Sequence, residues 1–295
     1  MKCTRCEGKA IISNPSLCAN HFEEYILEKV KKTITDFGLF SKKDRVCVAV
    51  SGGKDSLALI DILTRLGYSV EGLFIDEGIA NYREFSSLDL HTFMDKHNLP
   101  LRTVSFKEIS GHTLDEAMNT GKFHACTVCG TIRRYLLNKY SKEYDVIATG
   151  HNLDDESQTV LINLARGNTD LLLRQGPKST TSKYFTQKVK PLIFVTEKQL
   201  LTYAILRGIK TGFEECPYAN TSYRAHLRDL LNEEESKHPG TKLNIINTYL
   251  ELKQGLSKED SDEKQIGICE LCGEASQEHI CKACKLVSEV KQLLD

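Results

Sequence analysis

The stretch Arg45-Val46-Cys47-Val48-Ala49-Val50-Ser51-Gly52-Gly53-Lys54-Asp55-Ser56 decides the fold. After Arg45, an apolar run of five residues leads through Ser51 into two glycines, and Leu59, Ile62, Leu63 and Leu66 then recur at helical spacing. The reading is strand, tight glycine turn, helix. Such a turn aims backbone N–H groups and the positive end of a helix dipole at one spot, which suits phosphate. Gly52 and Gly53 let the backbone approach an anion with no Cβ in the way. Lys54 adds a positive charge, and Ser51 and Ser56 add hydroxyls. A plain glycine turn would need none of these. The loop is not of the G-x-x-x-x-G-K-[ST] type. Val48 stands where that pattern needs glycine, and Asp55 follows the lysine.

Outward from the loop, strands and helices alternate. Residues 22–37 read as a helix leading in. Val70–Ile75 reads as a strand ending at Asp76, followed by a helix over 82–97 and a strand over Leu101–Phe106. Residues 145–150 read as a further strand. This alternation predicts an α/β fold, a doubly wound parallel sheet with helices on both faces. Ligands in such sheets bind beyond the carboxyl ends of the strands, so Asp76 and the Gly150-His151-Asn152-Leu153-Asp154-Asp155 segment share an edge with the loop. Asp154 and Asp155 suit either Mg²⁺ on ATP phosphates or the capping of the helix that follows. Past Thr196–Arg207, a helix, residues 222–256 read as two more, and Gly255–Glu263 reads as a charged linker.

Eleven cysteines accompany 295 residues, with no secretion signal and no membrane-length apolar run. That pattern favours metal or redox chemistry over structural disulfides. Cys3-x₂-Cys6 followed by Cys18-x₂-His21 makes one four-ligand set, and Cys269-x₂-Cys272 with Cys281-x₂-Cys284 makes another. Each has the ligand number of a closed tetrahedral zinc site, so two Zn²⁺ are expected. Cys47, inside the first strand, reads as core. Cys126-x₂-Cys129, ahead of a helix over 131–137, and Cys216, ahead of Pro217, remain. This trio fits three chemistries: an iron–sulfur cluster with one open iron, a redox pair around a persulfide, or a third zinc with a further ligand. A net charge of −1 announces no nucleic-acid binder globally. Arg166, Arg174, Lys178, Arg224, His226 and Arg228 are candidates for phosphate contact, although solvated charge is the commoner meaning of such residues.

Ser51–Ser56 resembles the PP-loop of ATP pyrophosphatases, which split ATP into AMP and pyrophosphate. The Gly150–Asp155 run resembles the second signature of the tRNA-modifying branch. Together with the central cysteines and the two terminal knuckle modules, the whole chain resembles the tRNA 2-thiouridine synthetases of archaea, thermophiles and the eukaryotic cytosol. The resemblance implies ATP and Mg²⁺ bound by Ser51, Gly52, Gly53, Lys54, Asp55, Ser56, Asp76, Gly150 and Asp155. It implies a [4Fe-4S] cluster on Cys126, Cys129 and Cys216, catalytic roles for Asp55 and Asp154, and an assisting basic residue, Arg133 or Arg134. It further implies a tRNA substrate thiolated at uridine 34 or 54, and a sulfur donor that is free sulfide or a ubiquitin-like carrier. A cytoplasmic homodimer with no membrane association is expected. The domains expected are a zinc module over 1–24, the PP-loop domain over 25–215, a helical extension and linker over 216–262 and a second zinc module over 263–295. Another PP-loop ligase such as a lysidine synthetase, which needs no cysteine trio, or a non-catalytic zinc-module tRNA-binding protein are the competing readings.

Overall fold

A computed structural model describes residues 1–180, 183–210, 216–218, 223–256 and 266–294. The linker expected from Gly255 onward lies, past Leu256, outside them. The chain opens with a small hairpin, β1 (Ile12–Ser13) and β2 (Ser16–Leu17), and the helix α1 (Ala19–Asp36). Then follow β3 (Val46–Val50), α2 (Lys54–Arg65), β4 (Val70–Asp76), α3 (Arg83–Lys96), β5 (Leu101–Ser105), α4 (Phe106–Ser110), α5 (Leu114–Asn119) and α6 (Ala125–Tyr140). The second half carries β6 (Val146–Thr149), α7 (Leu153–Ala165), α8 (Thr169–Leu173), β7 (Gln187–Val189), α9 (Glu197–Leu206), α10 (Tyr223–Lys237) and α11 (Thr241–Leu256). A last hairpin, β8 (Gly267–Ile268) and β9 (Ala275–Ser276), precedes α12 (Lys282–Leu294).

The main sheet has the order β5-β4-β3-β6-β7, and every neighbouring pair is parallel. The chain winds one way from β3 through β4 to β5, then crosses back to β6 and β7. The order therefore reverses between β3 and β6, the crevice where doubly wound sheets bind ligands. Strand β7 is an addition to the strands read from sequence. Its three residues, Gln-Lys-Val, carry too little apolar pattern to announce a strand.

Burial on both faces explains the continuous apolar run of β3. Val46, Val48 and Val50 face one layer, where Phe22, Ile26 and Val30 of α1, Leu59 and Leu63 of α2 and Tyr203 of α9 close the core. Cys47 faces the other layer with Leu73, Ile75, Val104, Ile132 and Leu136. It is fully buried, and burial pushes its thiol up to about 12, so it is inert packing.

Both terminal modules are joined to this body. Cys3 and Leu17 belong to the same apolar cluster as α1 and β3. Helix α12 lies against α4, α5 and α6, with Leu286 and Val287 in the cluster around Cys47.

Candidate active site

The turn after β3 is built as a cradle. Gly52 has φ +78°, and a Cβ there would lie 2.5 Å from the Ser86 carbonyl oxygen. Only glycine meets both demands. The hydroxyls hold the turn itself: Ser56 Oγ accepts from Ser51 N (3.1 Å) and donates to Gly53 O (2.9 Å), while Ser51 Oγ accepts from Gly53 N (3.3 Å). Helix α2 begins at Gly53 with no side-chain cap, unlike α7 and α9 beside it, which begin with complete capping boxes. Its first N–H groups are left without side-chain acceptors, the arrangement that attracts an anion. Gly150 brings the end of β6 against this helix start, since a Cβ there would meet Ser56 N at 3.0 Å.

Carboxylates surround the cradle. Lys54 Nζ lies 2.8 Å from Glu197 Oε1 and 3.4 Å from Asp55 Oδ2. Burial opposes its charge, but Asp55 and Glu197 outweigh that and raise its pKa. Asp55 is pushed up to about 6, chiefly by burial, with Asp155 and Glu197 adding repulsion against the pull of Lys54. Asp55 Oδ1 is buried with no hydrogen-bond partner, a costly state for a carboxylate oxygen. A cation between Asp55 and Asp155 would satisfy that oxygen and relieve the repulsion, so the donor set fits Mg²⁺. Asp76, at the end of β4, accepts from Gly78 N through Oδ1 (2.8 Å).

The two aspartates after β6 divide their work. Asp155 Oδ2 accepts from Asn152 N (3.2 Å) in the α7 capping box, and its Oδ1 lies 3.9 Å from Arg224 of α10. Asp154, expected near the ATP and the target base, has both oxygens engaged elsewhere. Oδ2 takes Glu197 N at the start of α9 (2.8 Å), and Oδ1 pairs with the buried ammonium of Lys242 from α11. Lys242 also donates to Asn232 Oδ1 of α10 (2.5 Å). This buried pair ties the helical extension to the nucleotide-binding body. Lys242→Met is expected to cost about 3–5 kcal/mol of stability, because it strands a buried carboxylate. A urea titration showing a loss below about 1 kcal/mol would contradict that reading of the pair.

The cysteine trio collects on the other side of β4. Helix α6 starts earlier than the sequence suggests, so Cys126 and Cys129 occupy its first two turns. Cys126 Sγ lies 3.9 Å from the Tyr218 carbonyl, two residues past Cys216, and Cys129 and Cys216 pack on one apolar cluster. Among the described residues the trio is not gathered within the span of a single ion, whereas the two terminal sets are. Three thiols spaced more widely suit a larger inorganic group better than a third zinc. Of the two candidate basic residues, Arg133 takes the place beside the cysteines. It donates to Cys129 Sγ (2.9 Å) and lies 3.5 Å from Glu77 Oε1. Arg134 instead lines a cavity of about 200 Å³ against Glu274, Cys281 and Lys282.

Glu77, Arg83, Glu197 and Lys242 escape sequence reading. Glu77 follows Asp76 directly, and that position at a strand's carboxyl end was the one available signal. It is 1% exposed and pairs with Arg83 Nε, while Arg83 donates a second bond to Ser51 O (2.8 Å). The basic residues considered for phosphate contact cluster near α7, α8 and α10. Arg166 stacks over Tyr223 at 4.9 Å, Arg224 donates to Thr159 Oγ1 (2.9 Å), and Arg228 lies 3.4 Å from Asp229. Arg174 and His226 are exposed, and Lys178 donates to Gly38 O (3.3 Å).

The terminal sets have the dimensions of metal sites. Cys6 and Cys18 sulfurs are 3.7 Å apart and Cys272 and Cys281 sulfurs 3.8 Å. A tetrahedron with Zn–S bonds of about 2.3 Å has edges of about 3.8 Å. His21 Nδ1 lies 3.4 Å from Cys3 Sγ and 3.3 Å from Cys18 Sγ. Cys269 and Cys284 complete the second set.

Sheet order, loop and uncapped helix start define a nucleotide-binding protein of the PP-loop class, and the family model described as "PP-loop domain" matches residues 22–235. The chain is 39% identical to the tRNA-5-methyluridine(54) 2-sulfurtransferase of Pyrococcus horikoshii, over 99% of this chain and 96% of that one. It is 33% identical to cytoplasmic tRNA 2-thiolation protein 1 of Danio rerio, over 97% of this chain and 88% of that one. Among solved structures, the U34-tRNA thiolase NcsA of Methanococcus maripaludis with its [4Fe-4S] cluster superposes with a TM-score of 0.84 at 29% identity, over 98% of this chain and 96% of that one. The chain belongs to the tRNA 2-thiolation family of PP-loop proteins. No helix among the described residues is long and apolar enough to cross a membrane.

Proposed function

We propose that the protein is an ATP-dependent tRNA 2-sulfurtransferase that converts a uridine at position 54 or 34 to 2-thiouridine. One observation carries this beyond family membership. An open phosphate cradle and three cysteines stand at neighbouring strand ends, joined through Arg83, Glu77 and Arg133. A lysidine synthetase would have no use for the second half of that arrangement.

Ser51, Gly52, Gly53, Lys54 and Ser56 bind the phosphates, Lys54 leaving Glu197 to do so. Asp55 and Asp155 hold Mg²⁺, and Asp76 and Gly150 border the nucleotide. The uridine C2 oxygen attacks the α-phosphorus of ATP, and pyrophosphate leaves into the cradle. A sulfur nucleophile then attacks C2, and AMP departs with the oxygen. The target base is unstacked to reach this site. Cys126, Cys129 and Cys216 would hold a [4Fe-4S] cluster, which supplies a soft site for sulfide when bound. Arg133 stands over Cys129. Asp154 acts from outside the reaction, as the clasp on Lys242.

The two terminal sets hold one Zn²⁺ each. The modules over 1–24 and 263–295, the catalytic domain over 25–215 and the extension over 216–262 act as one body. The exposed arginines of α7, α8 and α10 contact tRNA phosphates, the donor is sulfide or a ubiquitin-like carrier, and the enzyme works as a cytoplasmic homodimer. The test is to incubate purified protein with ATP, Mg²⁺, sulfide and tRNA without oxygen. AMP should form only when tRNA is present, and digested tRNA should contain 2-thiouridine mapped to position 54 or 34. AMP formation without thiolation would favour another PP-loop ligase, and no AMP at all would favour a non-catalytic tRNA-binding role.

A further inference from the structure

Glu77 is the most deeply buried carboxylate beside the cysteines, and its surroundings are unusual. Its two oxygens serve two guanidiniums, and Cys129 Sγ lies 4.0 Å from Oε1. Oε2 pairs with Arg83, whose side chain is 8% exposed, and Oε1 lies 3.5 Å from Arg133, whose side chain is 44% exposed. Arg83 reaches the phosphate loop at Ser51 O (2.8 Å), and Arg133 reaches Cys129 Sγ (2.9 Å). The backbone of Glu77 is itself pinned. Its carbonyl accepts from Leu114 N (2.9 Å), and the next residue, Gly78, has φ +70° and sits where a Cβ would strike Thr113 at 2.7 Å.

The geometry points to Glu77 as a positioning residue that aims Arg133 at the Cys129 sulfur and anchors that aim to the phosphate loop through Arg83. Two cations cannot share this space unless a carboxylate lies between them. Arg83 is enclosed and has a second acceptor in Ser51, so it stays without help. Arg133 is half open to water, and Glu77, with the thiol itself, draws it inward. The distance between the phosphate half and the sulfur half of the site is thus set by one rigidly held side chain. The idea rests on the reading of Cys129 as part of the sulfur-handling site.

Arginine labelling gives a test that needs neither tRNA nor a cluster and reads the placement of Arg133 itself. Full-length protein is treated with phenylglyoxal, and modification of Arg133 and Arg134 is followed by mass spectrometry. Arg134, which lines a separate cavity against Glu274 and Cys281, is the internal reference. In Glu77→Gln the amide presents N–H donors to one guanidinium, and Arg133 swings out into water. The Arg133/Arg134 labelling ratio should rise about threefold, the scale of losing a half-exposed ion pair. Glu77→Asp keeps the charge Arg83 requires but withdraws it from Arg133, so it folds and should raise the ratio in the same direction. A merely structural role would expose both arginines together and leave the ratio unchanged. An unchanged or lowered ratio in Glu77→Asp would overturn the inference. Wild-type protein that fails to thiolate tRNA would overturn the proposed function instead and leave this ratio to be read on its own.

Discussion

Gly52→Ala is expected to abolish AMP formation and lower the melting temperature, whereas Gly53→Ala should abolish AMP formation with the melting temperature unchanged. At Gly52 the backbone has φ +78°, where an L side chain costs about 1–2 kcal/mol. The new Cβ would also press on the Ser86 carbonyl at 2.5 Å, and relief requires α3 to move. That helix begins with Arg83, which holds Ser51 O, so the damage spreads into the cradle. At Gly53 the backbone is extended, with φ −79°, and a Cβ meets only Ser51 Oγ at 3.4 Å. The free protein can accept that methyl group. A phosphate drawn to the first turn of α2 cannot, because the methyl stands on its approach. Calorimetry with ATP should show binding at least tenfold weaker, about 1.4 kcal/mol, in Gly53→Ala. Normal ATP turnover in this variant would mean that the loop is only a turn.

The second large effect concerns the trio. Protein purified without oxygen should be brown, with about four irons per chain. Cys126→Ser, Cys129→Ser and Cys216→Ser should each bleach it and eliminate 2-thiouridine while ATP affinity stays within twofold. The separation is physical, since among the described residues no hydrogen bond joins the thiols to the loop or to Lys54. Cys129 meets the loop through Glu77, directly and by way of Arg133, and then through Arg83. A colourless, iron-free protein that still thiolates tRNA would pass the role to a persulfide on one of these cysteines.

What could be read from the chain, and what could not, follows from the range of the forces involved. The loop, the buried strand before it and both four-ligand sets are local patterns, in which neighbours a few residues apart carry the signal. The start of α6 is also local but misleads. His124, Cys126, Thr127, Val128 and Cys129 are all modest helix formers, and packing of Val128 and Ile132 on the sheet overrides them. The Asp154–Lys242 pair spans 88 residues and the Lys54–Glu197 pair 143. No spacing rule reaches so far, and each residue alone reads as a solvated charge. Asp154 shows the consequence. The motif around it marks the right strand end, but only the fold reveals that Asp154 is taken up by Lys242 and that Asp55, beside Asn152, holds the orphaned oxygen.

The placement of the terminal cysteines has a bearing on the protein's lifetime in a cell. Cys3 packs in the principal core, and Cys269 and Cys281 pack beside Tyr135 on the helix that also carries Cys126 and Cys129. Metal binding at such sites is folding free energy, so its withdrawal loosens the body that makes the active site. Marginally folded chains are removed by proteases. With zinc held there as proposed, its shortage or the oxidation of either knuckle would then appear as fewer molecules, each fully competent, in place of a standing population that spends ATP without delivering sulfur.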